Sequence, residues 1–206
     1  MRELELIYPL IMPFAPGVAD PTMDSWIRQA AIDFCERTRL WRYEDDLTIT
    51  ANEAEAMMSP IGSVVFEIER AYFNDRELEP VSTAWLDENM PQWRTGEYES
   101  DSRYITQIEP NTISLVPAAA GDVRLYMWLK PSQDAQDLPD FIVDKYREMI
   151  AWGALARILM IPNQSFSNPQ MSQYWQTRFD TKLDSLFIKG TKGEQRAPMR
   201  SKSSFF

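Results

Sequence analysis

The 206-residue sequence contains no histidine and a single cysteine. Those two counts exclude a Ser-His-Asp triad, a Cys-His pair, zinc sites rich in Cys or His, and any disulfide within the chain. Long hydrophobic runs are also missing, and no stretch approaches the ~18 apolar residues of a membrane span. The apolar run Leu4 to Phe14 carries Glu3 and Glu5 where a secretion signal needs cations, and Pro9 and Pro13 interrupt it, so no signal peptide is expected. The lone Cys35 falls in a helical apolar pattern and reads as a small packed hydrophobe in a reducing, cytosolic setting.

What is present is 44% apolar residues, enough for a sizeable core in one or two domains, and an excess of acid: 31 Asp and Glu against 21 Lys and Arg, a net of −10. The charge is unevenly placed. From Lys189 onward the chain holds Lys189, Lys192, Arg196, Arg200 and Lys202 against Glu194, a net of +4, so the first 188 residues carry −14. An acidic body gains nothing by approaching phosphate, which excludes specific duplex binding by the folded part.

Helical periodicity opens at Asp20-Pro21, where Asp20 can cap and Pro21 occupies a position whose missing N–H costs nothing. Met23, Trp26, Ile27, Ala30, Ala31, Phe34 and Thr38 then recur at three- and four-residue spacing, ending near Leu40-Trp41. From Asp45 to about Lys130 the period becomes two: Leu47–Thr50, Ser63–Phe73, Arg76–Val81, Arg103–Ile108, Thr112–Val116 and Val123–Leu129 read as antiparallel strands. Asn74-Asp75 and Pro110-Asn111 suit tight turns between them. Ser82 to Gly96 reads as a short helical turn and a loop over a sheet edge, and Glu97, Glu99 and Asp101 as a solvated loop.

After Pro131-Ser132 and an acidic linker, Pro139 opens a helix with Phe141, Ile142, Tyr146, Met149, Ile150, Gly153, Ala154, Ala156, Arg157 and Met160 inward, closed by Ile161-Pro162. Its small residues would let another helix approach closely. Asn168-Pro169 starts a last helix through Met171, Tyr174, Trp175, Phe179, Leu183, Leu186 and Phe187, with Gly190 as its stop. The fold class is therefore α+β: a helical bundle (residues 1–44 with 138–188), an inserted antiparallel β domain (45–137) and a basic C-terminal arm (189–206) too polar to fold alone.

Catalytic constellations are scarce. Glu67 and Glu69 share one face of a strand, which fits a solvated sheet face better than an acid pair. Glu44-Asp45-Asp46 lacks the glycine and oxygen spacing of a calcium loop and reads as a solvated turn after the first helix. Ser201-Lys202 lies where nothing could hold a nucleophile, and Gly190 to Gly193 lacks the framework of a phosphate loop. No pattern requires a metal or cofactor. Asp140, Asp144 and Glu148 form an i, i+4, i+8 stripe. It is explained by favourable charge near a helix N-terminus or, repeated round a ring, by a channel lining that repels DNA. Trp26, Trp41, Trp152 and Trp175 read as core or subunit interface. In the arm, Lys192, Arg196, Met199, Arg200, Lys202, Phe205 and Phe206 combine cations with apolar anchors, the composition of a segment that orders in a partner's groove. Nonspecific DNA contact and plain disorder are the competing readings.

The segment Trp26-Ile27-Arg28-Gln29-Ala30-Ala31-Ile32-Asp33-Phe34-Cys35-Glu36-Arg37-Thr38, followed by Leu40-Trp41, resembles the head-to-tail adaptor (connector) proteins of tailed bacteriophages. Trp93 before Gly96 and Tyr98, Ile113-Ser114-Leu115-Val116-Pro117, Leu129-Lys130-Pro131-Ser132, Leu138-Pro139-Asp140, Gly153 to Leu159, Asn168-Pro169 and Tyr174 extend the resemblance over roughly residues 20 to 180. Ile161-Pro162-Asn163-Gln164 departs from the Gly-containing turn of similar proteins. The resemblance implies a non-enzymatic virion protein of the neck, made in the host cytoplasm. Such a protein forms a ring, usually twelvefold, that joins the portal to tail or nozzle proteins and gives double-stranded DNA a passage, with no membrane partner. In similar proteins a C-terminal arm reaches into the portal. A tail terminator, a tail-completion protein, or a carboxylate-dependent cell-wall glycan hydrolase using Glu67 or Glu69 are the alternatives.

Overall fold

The computed structural model describes residues 1–49, 55–57, 59–95, 101–109 and 111–192. In chain order these form β1 (Arg2–Glu3), a 3-10 turn (Leu4–Ile7), α1 (Tyr8–Ile11), α2 (Asp20–Thr38), β2 (Arg42–Ile49), β3 (Glu55–Ala56) and β4 (Ser63–Phe73). There follow β5 (Arg76–Glu77), β6 (Glu79–Pro80), α3 (Thr83–Asn89), β7 (Tyr104–Thr106), β8 (Thr112–Val116) and β9 (Gly121–Pro131). The chain ends with β10 (Asp137–Leu138), α4 (Asp140–Ile158) and α5 (Pro169–Lys192). The fold is α+β and divides into a helical unit, Met1–Leu40 with the chain from Pro131 onward, and a β unit, Trp41–Lys130.

In the helical unit α2, α4 and α5 pack on one another. The α2 stripe is buried as its spacing requires, with Met23, Ile27, Ala30, Ala31, Phe34, Cys35 and Thr38 inside, while Trp26 is half-buried. Its N-cap is the extended Ala19, not Asp20. Asp20 is the first helical residue and makes no capping hydrogen bond, so its carboxylate acts only as favourable charge at the positive end. The helix stops at Thr38, short of Leu40-Trp41, because Arg39 turns left-handed (φ 50°) and returns its N–H to the Cys35 carbonyl at 2.9 Å.

Helix α4 buries Ile142, Met149, Ile150, Gly153, Ala154 and Ala156 of the expected face and also Val143, Ala151 and Leu155, while Phe141, Tyr146 and Arg157 of that face are half-buried. Met160, expected inward, is 58% exposed because it lies past the helix end. At Gly153 a Cβ would stand 2.9 Å from the Ala30 Cβ and 3.0 Å from the Phe179 ring, so only glycine lets the three helices approach this closely. Asn163 supplies the left-handed residue (φ 58°) of the α4–α5 connection that lacks glycine. Asn168 then caps α5 by accepting from Met171 N–H at 3.1 Å. Ser172, Trp175, Phe179, Leu183 and Leu186 form the buried stripe of α5. Gly190 does not end this helix, which runs to Lys192. An isolated glycine costs a helix only ~1 kcal/mol.

The N-terminal run is an anchor: Leu4, Ile7, Ile11 and Ala15 are buried, and the segment packs on α2 and α4. β1 pairs antiparallel with β10, so the acidic linker ends in a strand. Arg28 Nε donates to the Ala135 carbonyl at 2.8 Å and ties the linker to α2.

The β unit holds two four-stranded sheets, ordered β2-β9-β4-β5 and β3-β8-β7-β6. β2 and β9 pair antiparallel from Arg42↔Trp128 to Ile49↔Gly121. Glu44-Asp45-Asp46 therefore lies inside a strand and not in a turn, because the alternation of Tyr43, Asp45, Leu47 and Ile49 extends the strand to Arg42, ahead of the run that begins at Leu47. Asn74 and Asp75 (φ 47° and 66°) make the two-residue turn between β4 and β5, with Tyr72↔Glu77 and Phe73↔Arg76 in register. Asn111 is also left-handed (φ 60°); Pro110, Thr50, Glu97 and Glu99 lie outside the described residues. The unit is not wholly antiparallel. After Leu78 N–H bonds the Ala71 carbonyl the chain crosses to the second sheet, where β6 runs parallel to β7. Ser82 accepts from Trp85 N–H at 3.2 Å and caps α3. The core is Ile49, Phe73, Leu78, Ile105, Ile113, Leu115, Val123, Leu125 and Met127, each large side chain worth ~1.5–3 kcal/mol when fully buried.

Candidate functional site

The acidic stripe sits on the first turns of α4, with Asp140, Asp144 and Glu148 all exposed. Strand β1, held by β10, brings the chain's start to the same helix end. The Met1 amino group lies 2.9 Å from Asp140 Oδ1, Arg2 Nε 3.8 Å from the same oxygen, and Arg2 Nη1 3.0 Å from Asp144 Oδ1. Two of the three carboxylates therefore hold cations, and the stripe is a clamp on the N-terminus before it is a bare acidic surface. No local sequence signal links residues so far apart in the chain.

Of the arm, Lys192 is the last residue of α5; Arg196, Met199, Arg200, Lys202, Phe205 and Phe206 lie outside the described residues. Glu67 and Glu69 are exposed on β4, and Arg42, stacked 4.3 Å over the Trp128 ring, reaches Glu69 at 3.3 Å. That geometry ties β2, β9 and β4 across a sheet face and leaves Glu69 engaged. Among the described residues no group of three acidic, Cys or His side chains is arranged to hold a metal ion.

Sequence reading missed a charged cluster in the β unit. Arg124 on β9 lies 2.9 Å from Asp46, 3.4 Å from Glu44 and 3.9 Å from Asp75, beside an open depression of about 450 Å³ that Asp122, Thr48 and Tyr72 also line. The hydrogen bond to Asp46 and its charge hold the guanidinium above its usual value, while desolvation and a hydrogen bond to Glu44 raise Tyr126. Asp46↔Arg124 is a cross-strand pair, invisible until the register is known. In the linker, the Ser132 hydroxyl and then Asp134's own backbone N–H lower the Asp134 carboxyl. Burial pushes the Cys35 thiol far up, so it stays protonated and unreactive.

The class defined so far is an α+β protein of a helical unit, in which α2, α4 and α5 pack together, and an inserted β unit, with carboxylates of both units engaged in ion pairs. The particular family comes from sequence: the family model of the SU10 adaptor protein matches residues 5–202. The chain belongs to that family and is a phage adaptor protein, a structural class and not an enzyme class. No curated protein matches it significantly. No helix among the described residues is long and apolar enough to cross a membrane.

Proposed function

We propose that the protein is the head-to-tail adaptor of a tailed phage, a ring in the virion neck that binds the portal on one side and tail or nozzle proteins on the other. The observation that carries this reading is the family match over residues 5–202, which takes in both units. A twelvefold ring is the assembly put forward, and closed symmetry would bury apolar helix flanks between subunits. The net charge of −10 supports a passage through which DNA moves without being gripped. The stripe Asp140, Asp144 and Glu148 is proposed to line that passage; with Met1 and Arg2 bound to its first two carboxylates, it would present a nearly neutral wall at that level.

The cationic, aromatic-ended segment 193–206 is proposed to order against the portal and tether the ring. Electron microscopy of the purified protein mixed with its portal tests the whole reading. A ring stacked coaxially on the portal is the expected image, and a protein that binds a tail tube end but not the portal would favour a tail terminator instead. Removing residues 193–206 is expected to abolish portal binding while leaving the ring intact; unchanged binding would remove the tether from the account.

A further inference from the structure

The helical unit carries a contiguous aromatic patch that its own fold does not finish. Trp175 is the hub: the Phe14 ring meets it edge-on at 5.2 Å, Tyr174 at 5.0 Å, and Trp152 stacks beside it at 6.4 Å. Arg178, one turn on from Tyr174, lies 4.1 Å over Trp152 and 5.8 Å from Trp175, and donates to the Tyr174 hydroxyl at 3.2 Å. Phe14 and Tyr174 remain 45% and 51% exposed. Two groups in the patch lack counterparts. Trp175 is 7% exposed, and its indole N–H has no acceptor among the described residues. The Arg178 guanidinium is held by the Tyr174 hydroxyl and the Trp152 and Trp175 rings, neutral groups that leave its charge uncompensated. A buried donor without an acceptor is costly, and a cation resting on indoles is well placed to meet an anion from outside.

We propose that this patch is the contact face for a second copy of the chain, and that the neighbour supplies a carboxylate to Arg178 beside apolar side chains that cover Phe14 and Tyr174. The occupant follows from charge and composition. The patch has donors and a cation but little acceptor, whereas the chain as a whole is acidic at −10, so another copy offers the complementary surface. Trp, Tyr and Arg are the residues that dominate binding energy when an interface closes over them. An isologous contact would set this cationic patch against itself. A heterologous one sets it against acid on the next copy, and such contacts close into rings. The inference rests on the ring proposed above and names its face.

Three variants, Arg178→Glu, Tyr174→Ala and Arg178→Lys, are compared with the wild type by mass photometry over a concentration series. Circular dichroism verifies the fold, and the exposed Tyr174 site keeps the test alive if Arg178→Glu fails to fold. Arg178→Glu and Tyr174→Ala are expected to raise the concentration for half-assembly at least about tenfold, and Arg178→Lys much less. In the wild type the Trp175 indole N–H resonance is expected to shift on assembly. Folded variants that assemble like the wild type would overturn this face while leaving the ring; a wild type that stays monomeric at every concentration would overturn both.

Discussion

The two units finish their surfaces differently. On the β unit, Arg42 with Glu69 and Arg124 with Glu44 and Asp46 lace the outer face of β2, β9 and β4, while Thr48 bonds Asp122 at 2.9 Å. The helical unit uses its ion pairs to join distant helices: Arg157 of α4 to Asp33 of α2, and Arg37 of α2 to Asp180 and Asp184 of α5. It leaves Leu6, Met12, Phe14 and Tyr174 about half exposed. Charge laces one sheet face of the β unit, while Ile61 and Ile108 elsewhere on that unit stay 98% and 56% exposed; charge in the helical unit braces a bundle whose apolar edge stays open. The ring proposed above would use such an open edge where its copies meet.

Breaking the helical side first should give the largest effect. Phe179→Ala empties a site that is 1% exposed and touches the Gly153 position, and is expected to cost ~3–5 kcal/mol in urea unfolding, with amide exchange accelerated in α2, α4 and α5. Gly153→Ala and Gly121→Ala probe close packing in each unit in turn. At Gly121 the added methyl would stand 2.7 Å from the Phe73 ring, and each substitution is expected to cost ~1–3 kcal/mol, with faster exchange confined to its own unit. Asn168→Ala removes the α5 cap and should cost ~1 kcal/mol, read as fraying of the first turn. Arg124→Gln should cost less than ~1 kcal/mol at low salt and nothing measurable at high salt, because the ladder is exposed. A salt-independent loss there would mean that the β surface is braced like the bundle.

The raised Cys35 pKa gives a prediction free of mutation. The protonated thiol is the folded form, so this contribution to stability is complete below the ordinary cysteine value and is lost as pH rises above it. A thiol reagent at pH 8 should modify Cys35 only as fast as the chain unfolds. Rapid modification of the native protein would place Cys35 outside the core.

Periodicity made much of this fold legible. The stripes of α2 and α5, the Asn168 cap, the Asn74-Asp75 turn and strands β4 and β8 follow from local chemistry that no distant contact overrides. Asp20, Met160 and Gly190 misplace helix ends by a residue or two, whereas the larger misses share one cause, dependence on partners remote in sequence. Leu4 to Ile11 reads as an interrupted apolar run until α2 and α4 are there to receive it. Glu44-Asp45-Asp46 reads as a turn until β9 supplies Arg124, and β6 reads as antiparallel until β7 takes it in parallel. The proposed stripe was legible as three carboxylates at helical spacing, but not the amino group and arginine that two of them hold.

The mass of the assembled particle tests the central claim most directly. Native mass spectrometry of the purified wild type is expected to give a closed ring, at roughly 290 kDa if twelve 24.0 kDa chains assemble. A particle that remains at the mass of one chain, alone and with portal present, would contradict the account.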